Sequence, residues 1–493
     1  MKTITKTIFL ISILMLLIIA SASVVSASNE NVTAAERYKI TTDPVSKNLT
    51  DDNVSTYLST DTVSVKTDAD ISSLYIRLWD NAASYTVTIG DKVYKNENNF
   101  LHSYFKIPSE VKDCKELTIT FEEKVKISDV FAFSDGTLPE WVQTWSTPYD
   151  RADLLLNTTH ADDEQLFFAG VLSYYSCVKK YRVQVVYFTD HNKANEAIRR
   201  HELLNALWIV GIDHYPVISN FPDAYSETYN GALNNLKNAG FTEDDVYAFQ
   251  TEMLRRFKPL VVVGHDLNGE YKHGQHILNA QTLTKAVEYA KDPEKYPESA
   301  QKYGLWNTPK LYLHLYENNK IVMNWDEPYE ELGGKTPFQM TQLGFEQHNS
   351  QHYTWFYTWL NGNNKNITAA TQIYMYSPCN YGLYRSTVGE DVAKNDFFEN
   401  LVNYDEQERI EQERLEEELR KQQEAEESRR QEESSIQESI DEASRAEASK
   451  LESQKLANQQ SQSNKKMLGT IAIVILISSV ITLGVIIFRS FKS

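Results

Sequence analysis

The sequence predicts an α/β protein built on a doubly wound, mostly parallel sheet, with an all-β module before it and a helical stalk and membrane-spanning helix after it. Three observations predict this. From about Trp145 onward, short apolar runs alternate with stretches of helical period, as strand–helix units of a parallel sheet do. Before that point, period-two alternation and turn residues dominate. From Asp405 to Lys466 there is neither glycine nor proline, and an uncharged run from Met467 to Phe488 follows.

At 493 residues the chain is long enough for several domains, and 12% aromatic residues supply material for cores. A net charge of −19 argues against nucleic acid, whose phosphates demand Lys and Arg. Three cysteines, Cys114, Cys177 and Cys379, are too few for a disulfide framework and too far apart for a Cys-x-x-Cys metal site.

Residues 1–27 read as a secretory signal, with Lys2 and Lys6, the apolar Ile8–Ile19 and a small-residue cleavage site at Val25-Ser26-Ala27. A permanent N-terminal anchor is the alternative. Residues 28–145 form the all-β module. Thr62–Lys66, Leu74–Leu78, Tyr85–Ile89 and Leu117–Phe121 alternate apolar with polar, which predicts a β-sandwich or jelly roll.

In the region 146–404, strands are expected at Asp153–Thr159, Arg182–Thr189, Tyr215–Ser219, Leu260–Gly264 and Leu311–Tyr316. Helices are expected from the first strand to Ser176, around Arg199–Val210, over Asp244–Arg256 and after His273. From Asn318 to Tyr404 an α/β lobe completes the domain, in an order the pattern does not reveal. Residues 405–466 carry Glu416/Arg420, Glu417/Lys421 and Glu426/Arg430 at i,i+4 spacing, with too few apolar positions for a heptad seam. They predict a solvated helical stalk, partly disordered near Gln459–Asn464, and not a firm coiled coil. Residues 467–488 are the membrane helix and 489–493 a cytoplasmic tail. Lys465 and Lys466 balance Arg489 and Lys492, so orientation follows from the signal: both folded domains face outward, in the layout of a bacterial surface protein.

Two clusters carry chemistry. His160-Ala161-Asp162-Asp163-Glu164 follows an apolar run and opens a helix. Gly264-His265-Asp266 and His273-Gly274-Gln275-His276 follow Leu260-Val261-Val262-Val263. Acidic residues at a helix start commonly only cap it. Four of the chain's eleven histidines fall in these two stretches, however, and both stretches would reach one edge of a parallel sheet, where ligands bind.

The clusters resemble the PIG-L/LmbE-like zinc-dependent N-acetylglucosaminyl deacetylase family, whose motifs read His-Pro-Asp-Asp-Glu and later His-Pro-Asp-His. Arg199-x-x-Glu202, Ala206, Val210-Gly211 and Phe221-Pro222-Asp223 are similar to its middle motifs, and the likeness runs from about Asp150 to Tyr404. It implies a Rossmann-like fold, Zn2+ (or another divalent metal such as Fe2+) on His160, Asp163 and His276, and Asp162 as general base. It further implies His273 and Tyr271 as groups supporting charge on the reacting carbonyl, and Arg199 and Asp223 as contacts for sugar hydroxyls or structural supports of the site. Arg199 pairing with Glu202 or a neighbouring carboxylate is the competing expectation for that residue.

Glu164 is expected to be a helix-start carboxylate without a role in turnover. His348-Asn349-Ser350-Gln351 resembles a late family motif, with a packed polar pair as the alternative. Ala161 replaces a proline, and Gln275 replaces an aspartate whose charge would support a ligand histidine, so metal affinity or rate is expected to be weaker. Leu49-Thr50-Asp51-Asp52-Asn53 and the Leu74 strand are similar to discoidin-type galactose-binding domains, implying a saccharide module or a simple brace. The implied activity is removal of acetyl from an N-acetylated sugar or glycoconjugate. The alternatives are an amidase of the same fold and a surface glycan-binding or adhesion protein.

Overall fold

The computed structural model describes residues 33–79, 84–97, 100–191, 193 and 196–490. The expected signal segment lies outside them. The chain divides after Tyr404 into two compact units.

In the first unit, seven antiparallel strands form one hydrogen-bonded system: β1 (Thr41–Asp43), β2 (Leu58–Lys66), β3 (Ser73–Leu78), β4 (Tyr85–Ile89), β5 (Lys92–Asn96), β6 (His102–Lys106) and β7 (Glu116–Phe133). The 18-residue β7 is its spine, pairing with β2, β3 and β4. Register shifts opposite it, at Thr60/Thr62 and Arg77/Leu78, let so long a strand bend. Period-two alternation sends Val63, Val65, Leu74, Ile76, Val87 and Ile119 into a separate core. The four expected strands lie within β2, β3, β4 and β7; β1, β5 and β6 were too short or too polar to stand out.

A second sheet holds β8 (Leu154–Thr158), β9 (Val183–Tyr187), β10 (Val217–Ile218), β11 (Val261–Gly264), β12 (Lys310–His314), β13 (Lys320–Val322) and β14 (Asn380–Ser386). Its order is β10-β9-β8-β11-β12-β14-β13. The pairs from β10 to β12 are parallel; β14 runs antiparallel between β12 and β13.

Successive residues on one strand feed different cores. Leu154, Leu156, Val261 and Val263 join Leu203, Leu204 and Leu207 of the helix Ile198–Ile209. Leu155 and Val262 join Leu254 and Phe257 of Glu243–Phe257, and Leu283 and Val287 of Gly274–Tyr289. Both faces are covered, which is why these strands read as unbroken apolar runs.

Chain order reverses at β8, which lies between β9 and β11, so the carboxyl ends of β8 and β11 sit side by side with Asn157 opposite Gly264. That reversal opens the crevice in which the two histidine clusters meet.

Several expectations need correction. The helix expected up to Ser176 is broken into Asp163–Leu166, Val171–Ser173 and a π-helical turn Tyr174–Val178. Gly170, at φ +85°, makes the break, and the indole of Trp325 packs where a Cβ would stand. The third strand shrinks to two residues, and the helix Tyr229–Asn238 was not anticipated.

The second unit is described by one helix, Tyr404–Ser490, so the disorder expected near Gln459–Asn464 is absent. Glu417–Lys421 and Glu426–Arg430 pair at 2.7 Å, but Arg420 turns to Glu424 at 3.8 Å instead of Glu416. The helix is long and apolar enough near its end to cross a membrane.

Candidate active site

After β8 the chain turns sharply through Thr159–Asp162 before the short helix Asp163–Leu166. Asp162 takes φ +130°, a strained backbone for a residue with a Cβ. Two side chains hold the turn: Glu164 accepts the Asp162 N–H at 2.9 Å, and Asp163 accepts the His160 N–H at 2.7 Å.

This turn meets the start of the helix Gly274–Tyr289. Nδ1 of His160, Oδ2 of Asp163 and Nε2 of His276 form a triangle with sides of 3.0, 3.0 and 3.1 Å. A divalent ion with bonds of about 2.0–2.1 Å wants tetrahedral donors roughly 3.3 Å apart. Buried imidazoles and a carboxylate this close therefore fit a metal, and neither donor type rules out zinc or iron(II).

Glu270, fully buried beneath the triangle, was missed by sequence reasoning. It accepts Nδ1–H from His265 at 2.8 Å, His276 at 2.8 Å and His314 at 2.6 Å. Burial alone would raise its pKa, but these imidazoles hold it well below the usual carboxylate range. The available signal was its place between His265 and His276. Gln275 meets the other histidine of the triangle, with Oε1 3.3 Å from His160 Nε2, and Asp223 lies 3.6 Å from the same nitrogen. The charge expected to be missing at Gln275 is thus present nearby, from Glu270 on one histidine and Asp223 on the other.

A pocket of about 290 Å³ opens above the triangle and is lined by His160, Asp162, Asp163, Arg199, Asp223, Tyr271 and His273, among others. All the residues singled out from the two motifs for ligand, base or substrate contact touch it, except His276, which lies buried behind. His273 lies just outside the helix that carries His276. It caps the helix in an extended conformation, although the two rings stay 4.8 Å apart.

Arg199 donates to the Ala161 carbonyl at 2.7 Å and lies 3.4 Å from Asp162 and 3.3 Å from Asp223. The expected alternative, a neighbouring carboxylate, is thus met by Asp162 and Asp223 and not by Glu202, which accepts from the backbone N–H and hydroxyl of Ser350. In the late motif, His348 forms a buried pair with Glu164 at 2.9 Å, and only Gln351 reaches the pocket.

Neighbouring carboxylates are driven apart. Burial pushes the Asp162 carboxyl up to about 7, against the pull of Arg199. Asp163 is equally buried, but His276 and His160 hold it well below the usual range. Opposite shifts on adjacent acids separate a proton-handling group from a permanently charged one.

Comparison with known proteins places this geometry. The family model PIG-L: GlcNAc-PI de-N-acetylase matches residues 155–287. A mycothiol S-conjugate amidase of Streptomyces coelicolor is 30% identical over 149 residues, 29% of this chain and 48% of that protein. A 1D-myo-inositol 2-acetamido-2-deoxy-alpha-D-glucopyranoside deacetylase of Geodermatophilus obscurus is 30% identical over 95 residues, 19% of this chain and 31% of that protein. The chain thus spans about half the length, or less, of these curated relatives. Among solved structures, the N,N'-diacetylchitobiose deacetylase of Pyrococcus horikoshii aligns with a TM-score of 0.32 at 18% identity, covering 48% of this chain and 85% of that one. Over residues 155–287, then, this chain is similar to the PIG-L: GlcNAc-PI de-N-acetylase family.

Proposed function

We propose that this chain is a metal-dependent N-deacetylase acting on an N-acetylated sugar or glycoconjugate outside a membrane to which its C-terminal helix anchors it. One observation carries the reading: the 3.0–3.1 Å donor triangle shares a pocket with a second, separately held carboxylate, Asp162. His160, Asp163 and His276 would hold the ion. When bound, a zinc or iron(II) ion acidifies water and polarises the acetamido carbonyl.

The protein's own groups do the rest. Asp162 takes a proton from the attacking water and returns it to the nitrogen as the C–N bond breaks, giving acetate and a free amine. Arg199 keeps Asp162 turned toward the pocket. His273, whose Nδ1 is buried without a hydrogen-bond partner among the described residues, and Tyr271 line the wall where negative charge gathers on the carbonyl oxygen. Arg199 and Asp223 bind sugar hydroxyls. The small pocket suits one sugar unit, and Tyr225 and Tyr353, 63% and 86% exposed at its rim, offer faces for the rest of a glycan.

In this reading residues 28–145 are a sandwich-like accessory module, 146–404 a Rossmann-like catalytic domain, 405–466 a stalk and 467–488 the anchor. An amidase of the same fold remains the competing enzyme. A purely adhesive role is disfavoured because a binder has no use for a base beside a metal. The test is metal content of the full chain in detergent, then acetate release from N-acetylhexosamine oligosaccharides with Asp162→Ala as control. Metal without acetate, together with glycan binding that survives Asp162→Ala, would replace the enzyme with the adhesin.

A further inference from the structure

His265 follows β11 directly and is fully buried. Its Nδ1 lies 2.8 Å from Glu270 Oε2, an acceptor, so Nδ1 carries the hydrogen and Nε2 of the neutral ring presents a lone pair. Among the described residues that Nε2 has no hydrogen-bond partner; Asp163 Oδ2, a corner of the donor triangle, lies 3.6 Å away. A lone pair facing a carboxylate oxygen in a buried site is unfavourable unless a cation lies between them.

The ring stacks on His276 with centroids 4.1 Å apart and planes 26° from parallel. Both Nδ1 atoms share the same Glu270 oxygen, at 2.8 Å each, so both Nε2 atoms are turned toward Asp163. Asp163, His265 and His276 form a donor group in their own right, sharing His276 with a second group of His160 and His273. Phe168 closes the other side of His265, its ring 4.8 Å away edge-on.

We propose that His265 is a fourth protein ligand, adding a third imidazole to the metal held by His160, Asp163 and His276. This rests on the metal-site reading above and extends it. Glu270 then serves as a shared bracket that locks two ligand imidazoles in the tautomer that coordinates. Three neutral imidazoles and one carboxylate leave a divalent ion with net charge +1 and bias the site toward zinc or iron(II) over magnesium or calcium.

The test is X-ray absorption at the zinc edge of the Zn2+-loaded full chain in detergent, with zinc affinity measured by chelator competition. Wild type is expected to show three imidazoles. His265→Ala is expected to show two and to bind zinc at least about 10-fold more weakly. Two imidazoles in wild type overturn the proposal and leave the metal site standing, and this count does not depend on whether the variant folds. Three imidazoles in both proteins also overturn it, since the third would then be His273. Failure of wild type to take up zinc removes the metal reading itself, and His265 with it.

Discussion

Glu270 Oε2 accepts the Nδ1–H of His276 at 2.8 Å, while the same carboxylate also receives His265 and His314. A carboxylate behind a ligand histidine fixes its tautomer and strengthens it as a donor. Glu270→Gln keeps the shape but removes the charge and turns an N–H toward one imidazole. Metal affinity is expected to fall roughly 10- to 100-fold. A chelator titration giving less than a threefold change would show that Glu270 is only packing.

Asp162 stands apart from the donor triangle although its neighbour Asp163 is part of it. Asp162→Asn is therefore expected to keep the metal and lower kcat by about 10²- to 10⁴-fold, with KM little changed. Metal analysis and acetate release on the same sample check this. Loss of metal in the variant would make Asp162 a ligand or a strut instead of a base.

A hydrogen-bond chain ties the antiparallel β-sheet region to the parallel-sheet region. Tyr75 donates to His102 Nδ1 at 2.7 Å, His102 Nε2 to His201 Nδ1 at 2.9 Å, and His201 Nε2 to the Trp79 carbonyl at 3.2 Å. The chain is complete only with both rings neutral. Burial lowers the His201 pKa from 6.5 to about 3 and holds His102 well below its usual value too. Between pH 7 and 5 the unfolded chain thus binds protons that the folded one cannot, so stability falls with acidification, by about 2 kcal/mol for His201 alone. Thermal melts at the two pH values measure this. His201→Asn should show a shallower pH dependence; identical slopes would refute the assignment.

Gly170 breaks the helix behind the site. An added Cβ would stand 2.5 Å from Trp325 Cδ2, and that indole is held by a 2.9 Å bond to the Pro378 carbonyl. With φ at +85° as well, Gly170→Ala is expected to cost about 3 kcal/mol and lower Tm by several degrees. An unchanged Tm would mean that the segment re-forms as the unbroken helix its sequence pattern suggests.

That helix illustrates what periodicity leaves out. The apolar spacing of Leu166, Phe167, Val171 and Leu172 is compatible with one helix through Gly170, but Gly170 takes φ +85° and the indole of a distant Trp325 packs against it. His273 is similar: three-residue spacing from His276 suggests a shared helix face, but the helix begins one residue later. Spacing reports which face is buried, not where a backbone departs from regularity to admit a neighbour.

By itself the sequence determined where the main strands of both sheets and the helices at Arg199–Val210 and Asp244–Arg256 would form, the apolar run after Lys466, and the two clusters that meet at the reversal in strand order. These follow from local hydrophobic period and chain direction. Tertiary structure alone decided that Glu270 brackets three imidazoles, that Gln275 turns to His160, and that His265 Nε2 is left facing Asp163. Each is a choice of hydrogen-bond partner among side chains brought close by folding. No spacing along the chain encodes that choice, because it depends on which polar atoms are sealed from water together.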